Sequence, residues 1–208
     1  MIITYLGKQF FKVQQGDLII AINPISKDSK SSAKVSRFGS VIALSTINHP
    51  DYNGFEMVSH GDTFPLEIKG PGDYEVKDVF IKGIMSETVI DEKKYINTIY
   101  SMSIEGISIC FLGSISKNKL DNDTIGKIGS PDILFVPIGN GDLLTPADAH
   151  KLAISLEPKI IIPMDYDEKT LKSFLKEAGQ DKISPIDKFT IKAKELIGRE
   201  TEIVLLSS

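Results

Sequence analysis

The residues of this sequence that are best suited to chemistry lie in one polar loop, at positions 45–54. His49 offers a neutral nitrogen ligand and Asp51 a hard oxygen ligand, two positions apart, and Pro50 stiffens the bend between them. A carboxylate beside an imidazole could also serve as a base in chemistry without a metal. The His-Pro-Asp sequence is more often a plain turn than a site, and the loop taken alone leaves both open.

Buried strands must position these side chains. Residues 41–44 are continuously apolar and end directly before the loop, which is a common way to place polar groups at a site. Residues 160–164 form a second apolar run after Lys159, and Asp165 follows it at once. Asp165 is thus a second acidic residue placed directly after a buried strand.

The rest of the chain predicts a strand-rich first part and a helix-bearing second part. Three short β-type runs at 2–6, 10–13 and 18–22 predict an antiparallel meander. Helix starts are indicated by Asp121, by Thr145 followed by a proline, and by Asp167. Elements in this order suit a sandwich of two sheets with helices outside.

Composition limits the class of protein. The 208 residues, 41% of them hydrophobic, predict one domain over 1–208. A net charge of -4 argues against a nucleic-acid partner. A single cysteine, Cys110, excludes an internal disulfide and a cysteine-rich zinc site. No signal-peptide pattern or apolar run of about 20 residues occurs, so we expect no membrane partner and a cytoplasmic location.

The polar loop resembles the Thr-His-x-His-x-Asp-His signature of the metallo-β-lactamase-fold hydrolases. Thr46 matches the threonine, and His49 and Asp51 match two ligands. Ile47 and Tyr52 stand where the first and last histidines would be. The resemblance implies that this loop descends from most of a two-metal site.

Further segments resemble the same family from end to end. The Gly-Pro-Gly-Asp-Tyr-Glu-Val run at 70–76 is similar to a segment in a branch of small metal-dependent hydrolases related to sugar-acid lactonases. The family's opening Gly-His-Ser and Ile-Leu-Ile-Asp-Pro segments match residues 7–9 and 20–24, with Lys8 for the histidine and Asn23 for the aspartate. The resemblance implies an α/β (α+β) fold, a four-layer αββα sandwich.

The resemblance also implies a degenerate metal site. Two of the family's ligand positions keep their residue, and Asp165, in place of a histidine, can still coordinate. Thr88 and Ser114 offer neutral hydroxyls, and a hydroxyl cannot balance two divalent cations as a carboxylate does. The positions that correspond to the family's ligands are Ile47, His49, Asp51, Tyr52, Thr88, Ser114 and Asp165.

Three hypotheses follow. The first is a catalytically degenerate binding or interaction module, whose partner is an unknown small molecule or protein. The second is a hydrolase of lactones or phosphoesters with a reduced single-metal site at His49, Asp51 and Asp165. The third is a metal-free enzyme in which Asp51 acts as the base. No resident cofactor is predicted, zinc or manganese being the metals expected in a reduced site, and self-association is an open expectation.

Overall fold

The computed structural model describes residues 1–31, 36–139 and 143–208. Its helices are α1 (Asn122–Ile128), α2 (Pro146–Ser155) and α3 (Glu168–Glu177). Its strands are β1 (Ile2–Tyr5), β2 (Phe11–Gln15), β3 (Leu18–Ile22), β4 (Ile42–Leu44), β5 (Leu66–Ile68), β6 (Gly72–Val76), β7 (Val79–Ile90), β8 (Lys93–Ile104), β9 (Ile107–Phe111), β10 (Ile133–Pro137), β11 (Ile160–Met164), β12 (Phe189–Thr190) and β13 (Glu202–Ile203).

These strands form two sheets within the described residues. One sheet has the order β12-β1-β2-β3-β4-β5, and the other has the order β13-β11-β10-β9-β8-β7-β6. The predicted meander of β1, β2 and β3 is antiparallel and is confirmed. Strands β9, β10, β11 and β13 run parallel, as do β3, β4 and β5, so polar residues after these strands collect at common sheet edges.

The core lies between the two sheets, and its centre is an aromatic cluster. Phe11 stacks on Tyr5 with ring centroids 4.7 Å apart and meets the edge of Phe135 at 4.7 Å. Phe111 lies 5.9 Å from Phe11 and joins the same group. The rings of Phe11, Phe111 and Phe135 are fully buried, and their contacts hold the two sheets together.

A second apolar layer lies between the sheet that contains β9 to β11 and the helices. It buries Cys110, Leu134 and Ile161 against side chains of α1, α2 and α3. The first sheet is covered on its outer face by the short 3-10 turn Phe55–Met57 and by Phe38. The two sheets with flanking helices confirm the predicted fold class, and the outer layer of the first sheet is the thinner one.

The predicted helix starts are confirmed by their caps. The side chains of Asp121, Thr145 and Asp167 each accept a hydrogen bond from a backbone N–H in the first turn of their helix. No helix of the described segments has the length and apolarity to cross a membrane.

The hairpin of β7 and β8 is longer than its sequence indicates. The β-type run in the sequence extends from residue 79 to residue 84, and the structure continues the strand to Ile90. The polar residues Ser86 and Thr88 face inward here, so the alternation of apolar and polar residues changes phase along the strand. This extension carries Thr88 and its cross-strand neighbour Tyr95 toward the polar loop.

Truncation of Phe11 tests the aromatic cluster. We expect Phe11→Ala to lower the free energy of unfolding by about 3–5 kcal/mol, because it removes the ring that joins the two sheets. Urea denaturation followed by circular dichroism measures the loss. Phe80→Ala is the control, since Phe80 lies on β7 with 61% of its surface exposed, and its change is expected to stay within about 0.5 kcal/mol. Equal losses in both variants would contradict this account of the core.

Candidate functional site

The ends of β1, β4 and β11 bring three loops together. Asp165 follows β11, and its backbone N–H donates to the carbonyl of Lys8 at 2.8 Å. Asn23 follows β3, and its N–H donates to the carbonyl of Leu44 at 2.8 Å. Lys8, Asn23 and Asp165 all adopt positive φ angles of 51–53°, which non-glycine residues rarely do. Such strain persists only where the surroundings hold it, and it often accompanies functional sites.

Gln9 is the centre of the cluster at this edge. Its side chain is completely buried. Its Nε2 donates to Ser114 Oγ and to Asp165 Oδ2, both at 2.9 Å. Its Oε1 accepts from Asn23 Nδ2 at 3.2 Å. The amide therefore joins residues from distant parts of the chain and uses both of its N–H groups.

Asn23 ties this cluster to the polar loop. Its Nδ2 also donates to Thr46 Oγ1 at 2.9 Å, and its Oδ1 accepts from the Thr46 backbone N–H at 2.8 Å. An aspartate at this position could accept from that N–H but could not donate to Gln9 Oε1. Asn23 can therefore form a hydrogen bond to Gln9 that the family's aspartate could not form.

Lys8 and Asp51 form a short ion pair beside the cluster. Lys8 Nζ lies 2.5 Å from Asp51 Oδ2, and the hydroxyl of Ser29 donates to the other carboxylate oxygen. Burial alone would raise the pKa of Asp51, but the hydrogen bonds from Lys8 and Ser29 outweigh it and hold that pKa below its usual range. Asp51 is thus a carboxylate whose two oxygens are both occupied.

His49 lies at the rim of the same region. Its Nδ1 accepts from the Asp51 backbone N–H at 3.2 Å, which assigns the proton of the neutral ring to Nε2. Its ring centroid lies 5.9 Å from that of Tyr52 and 6.0 Å from that of Tyr95. His49 is therefore held by one hydrogen bond and two aromatic neighbours.

Tyr52 replaces a family histidine with a phenol. Its hydroxyl lies 3.4 Å from Asp165 Oδ2. Burial and the nearby Asp165 carboxylate raise the pKa of Tyr52, so this phenol stays protonated at neutral pH.

Thr88, at another position that corresponds to a family ligand, is buried, and its Oγ1 has no hydrogen-bond partner among the residues that the structure describes.

The residues at this edge do not fit a two-metal centre. Ile47 is buried hydrocarbon, and the hydroxyl of Ser114 accepts from Gln9. In the segments 1–31, 36–139 and 143–208, no group of three or more His, Cys, Asp or Glu side chains could hold a metal ion. His49 and Asp51 lie together, but with Asp165 they do not form such a group. Metal binding by these three residues and the catalytic role of Asp51 stay predictions.

Gln9 is the residue of the candidate site that the sequence did not single out. It stands within the segment 7–9, where the family has Gly-His-Ser, and Lys8 was noted there only as a lost histidine. A polar residue next to the start of a buried strand was the available signal. Its partners are up to 156 positions away in the chain, so the signal could not name them.

Comparisons with known proteins agree with this architecture. The family model of the beta-lactamase superfamily domain matches residues 2–165. A UPF0173 metal-dependent hydrolase of Lysinibacillus sphaericus (strain C3-41) is 26% identical over 197 residues, covering 80% of this chain and 86% of that protein. One from Aeropyrum pernix is 23% identical over 203 residues, covering 79% and 81%.

Solved structures include similar folds. A Thermotoga maritima protein, provisionally described as a Zn-dependent hydrolase of the metallo-beta-lactamase superfamily, superposes with a TM-score of 0.76 at 25% identity, covering 99% of this chain and 97% of that one. A protein from Parabacteroides distasonis ATCC 8503, provisionally described as a metal-dependent hydrolase, superposes with a TM-score of 0.63 at 18% identity, covering 86% and 90%. The second likeness concerns the fold alone.

The ion pair predicts how stability depends on pH. The pKa of Asp51 is lower in the folded chain, so its contribution to stability is complete above its unfolded value of about 4 and is lost as the pH falls through the folded value. We expect Lys8→Met to lower the free energy of unfolding at pH 7 by about 1–3 kcal/mol, because the carboxylate loses its cation. The loss should shrink as Asp51 is protonated. Urea denaturation between pH 7 and pH 3 measures it.

The control for this prediction is Lys127→Met. Lys127 pairs with Asp123 at 2.6 Å, but their side chains are 50% and 75% exposed, so water screens the pair and no measurable change in stability is expected at either pH. A loss in Lys8→Met that is the same at pH 7 and pH 3 would contradict the electrostatic role of Lys8.

Proposed function

The chain belongs to the metallo-β-lactamase superfamily, and we propose that within it this chain is a catalytically degenerate module that binds a small molecule or a protein. Membership of the superfamily confirms what the sequence motifs predicted. The proposal concerns the finer question of whether the hydrolytic centre of the superfamily operates in this chain.

This proposal rests on the hydrogen bonds that the Gln9 side chain donates. Ser114 and Asp165 stand at two positions where the family places metal ligands, and Gln9 Nε2 donates to an oxygen of each at 2.9 Å. The positive ends of the two N–H groups thus point at the lone pairs that a cation would need. A metal ion would have to displace this buried amide, which would then lose three hydrogen bonds.

The charge at Asp51 supports the same conclusion. In the family this carboxylate orients the reacting water, whereas here its oxygens are engaged by Lys8 and Ser29. A bound metal would activate water by lowering its pKa to about 7. A carboxylate whose own pKa is depressed is a weak base and recovers little of that activation, which also disfavours metal-free catalysis by Asp51.

One observation favours a second candidate function. His49 and Asp51 are in contact, and the listed relatives are named metal-dependent hydrolases. A single zinc or manganese held by these two residues with Asp165 would give a reduced hydrolase for lactones or phosphoesters. This candidate requires Asp165 to leave its contacts with Gln9 and Tyr52.

Metal content decides between the two candidates. We expect protein purified without a metal-affinity tag, then offered zinc or manganese and desalted, to contain no stoichiometric metal by elemental analysis. We also expect its melting temperature to be unchanged by either metal, because Gln9 and Lys8 already satisfy the oxygens that a cation would bind. Hydrolysis of a panel of lactones and phosphodiesters should not depend on added metal.

The relative from Lysinibacillus sphaericus, purified and loaded in parallel, is the reference for the metal assay. His49→Ala and Asp165→Ala test the second candidate directly. About one equivalent of metal that is lost in both variants, together with metal-dependent hydrolysis, would overturn the proposed function and establish the reduced site.

A further inference from the structure

A cavity of about 450 Å³ adjoins the cluster. Lys8 and Asp165 line one side of it, so it reaches the region where the family has its metals. Its volume lies in the range of roughly 300–1,000 Å³ that small-molecule sites occupy. The cavity is therefore large enough for a ligand beside a centre that does not fit metal ions.

One part of the remaining cavity wall is apolar. Leu171 reaches it from α3, and Leu205 and Leu206 reach it from the segment after β13. Tyr5 and Tyr166 add aromatic surface, and their hydroxyls already donate to the carbonyls of Lys8 and Leu206. The leucine part of the wall suits the hydrocarbon body of a ligand. The polar part of the wall is formed by Ser31, Ser207 and Ser208.

The two charged side chains that line the cavity, those of Lys8 and Asp165, differ in their exposure to solvent. The Lys8 side chain is 22% exposed, and its partner Asp51 does not line the cavity. The other charged residue on the wall, Asp165, is only 2% exposed and accepts from Gln9. Since an ammonium group carries three N–H donors and Asp51 takes one among the described residues, Lys8 can donate to a ligand as well.

This inference rests on the proposed binding function and names its ligand. We propose that the cavity binds a small amphipathic carboxylate, with the acid group at the Lys8 ammonium and the apolar body against Leu171, Leu205 and Leu206. A carboxylate accepts charge-assisted hydrogen bonds from the ammonium, which are about twice as strong as neutral ones.

Three probes with the same chain length and different head groups test the proposal. Octanoate, octanamide and octylamine are titrated into the full chain by isothermal calorimetry in the presence of a chelator. We expect saturable binding of one octanoate, with octanamide roughly tenfold weaker and octylamine weaker still, because a charge-assisted hydrogen bond is lost and then replaced by repulsion. Octylamine binding as tightly as octanoate would overturn the proposal.

Two variants and one control test the contact of the ligand's acid group and the contact of its apolar body independently. Lys8→Met should abolish the preference for octanoate over octanamide, whereas Lys12→Met should keep it, since the Lys12 ammonium lies 5.2 Å from the Phe38 ring and outside the cavity wall. Leu171→Gln should weaken all three probes by roughly tenfold, and it leaves Lys8 and its ion pair intact. An unchanged affinity in Leu171→Gln would place the ligand elsewhere.

The outcomes distinguish this inference from the function on which it rests. Absence of saturable octanoate binding to a chain that is also free of metal would refute the carboxylate cavity and leave the degenerate centre standing. Octanoate binding that persists while the chain shows stoichiometric zinc and metal-dependent hydrolysis would refute the degenerate centre instead.

Discussion

Buried oxygen atoms at the ends of strands need a positive partner, and the structure at this edge depends on how that need is met. A buried carboxylate without a hydrogen bond or a counter-charge costs several kcal/mol. In a metallohydrolase the metal ions supply the positive charge. Here Gln9 supplies N–H groups to Ser114 and Asp165, and Lys8 supplies an ammonium to Asp51. The loops stay together because their oxygens are satisfied from within the chain.

This solution couples residues that would otherwise be independent. The Gln9 amide is oriented with its N–H groups toward Ser114 and Asp165 and its oxygen toward Asn23. Asn23 can donate to that oxygen because it is an amide. A half-satisfied polar network is less stable than an apolar core. Replacing only one of these hydrogen-bonded side chains would therefore leave a buried polar group without a partner. The aromatic cluster of Phe11, Phe111 and Phe135 lies in the sandwich core and keeps the two sheets together, which allows the fold to persist while the edge changes its chemistry.

The fold was largely predictable, and the site was predictable only in part. Helix caps such as Thr145 and the apolar runs of the strands are local signals, so their elements were identified correctly. Strand β12 has two residues and leaves no such signal, and the inward-facing Thr88 obscured the length of β7. The positions of the lost ligands were visible in the motifs. The partners of Gln9 were not, because separate strands bring them together and no local pattern records which atoms meet.

The case of Asp165 shows why ligand-capable atoms do not by themselves make a metal site. Its carboxylate stands where the family has a histidine and can in principle coordinate zinc. Coordination requires lone pairs that point at a shared cation, and the Oδ2 of Asp165 points instead at a buried N–H of Gln9 and lies near the phenol of Tyr52. The listed relatives are named metal-dependent hydrolases, and among the described residues of this chain no group of three His, Cys, Asp or Glu side chains could hold a metal ion. The partly exposed ammonium of Lys8 lies beside a cavity with leucine side chains on part of its wall, and a positive charge at that place suits the recognition of an anion.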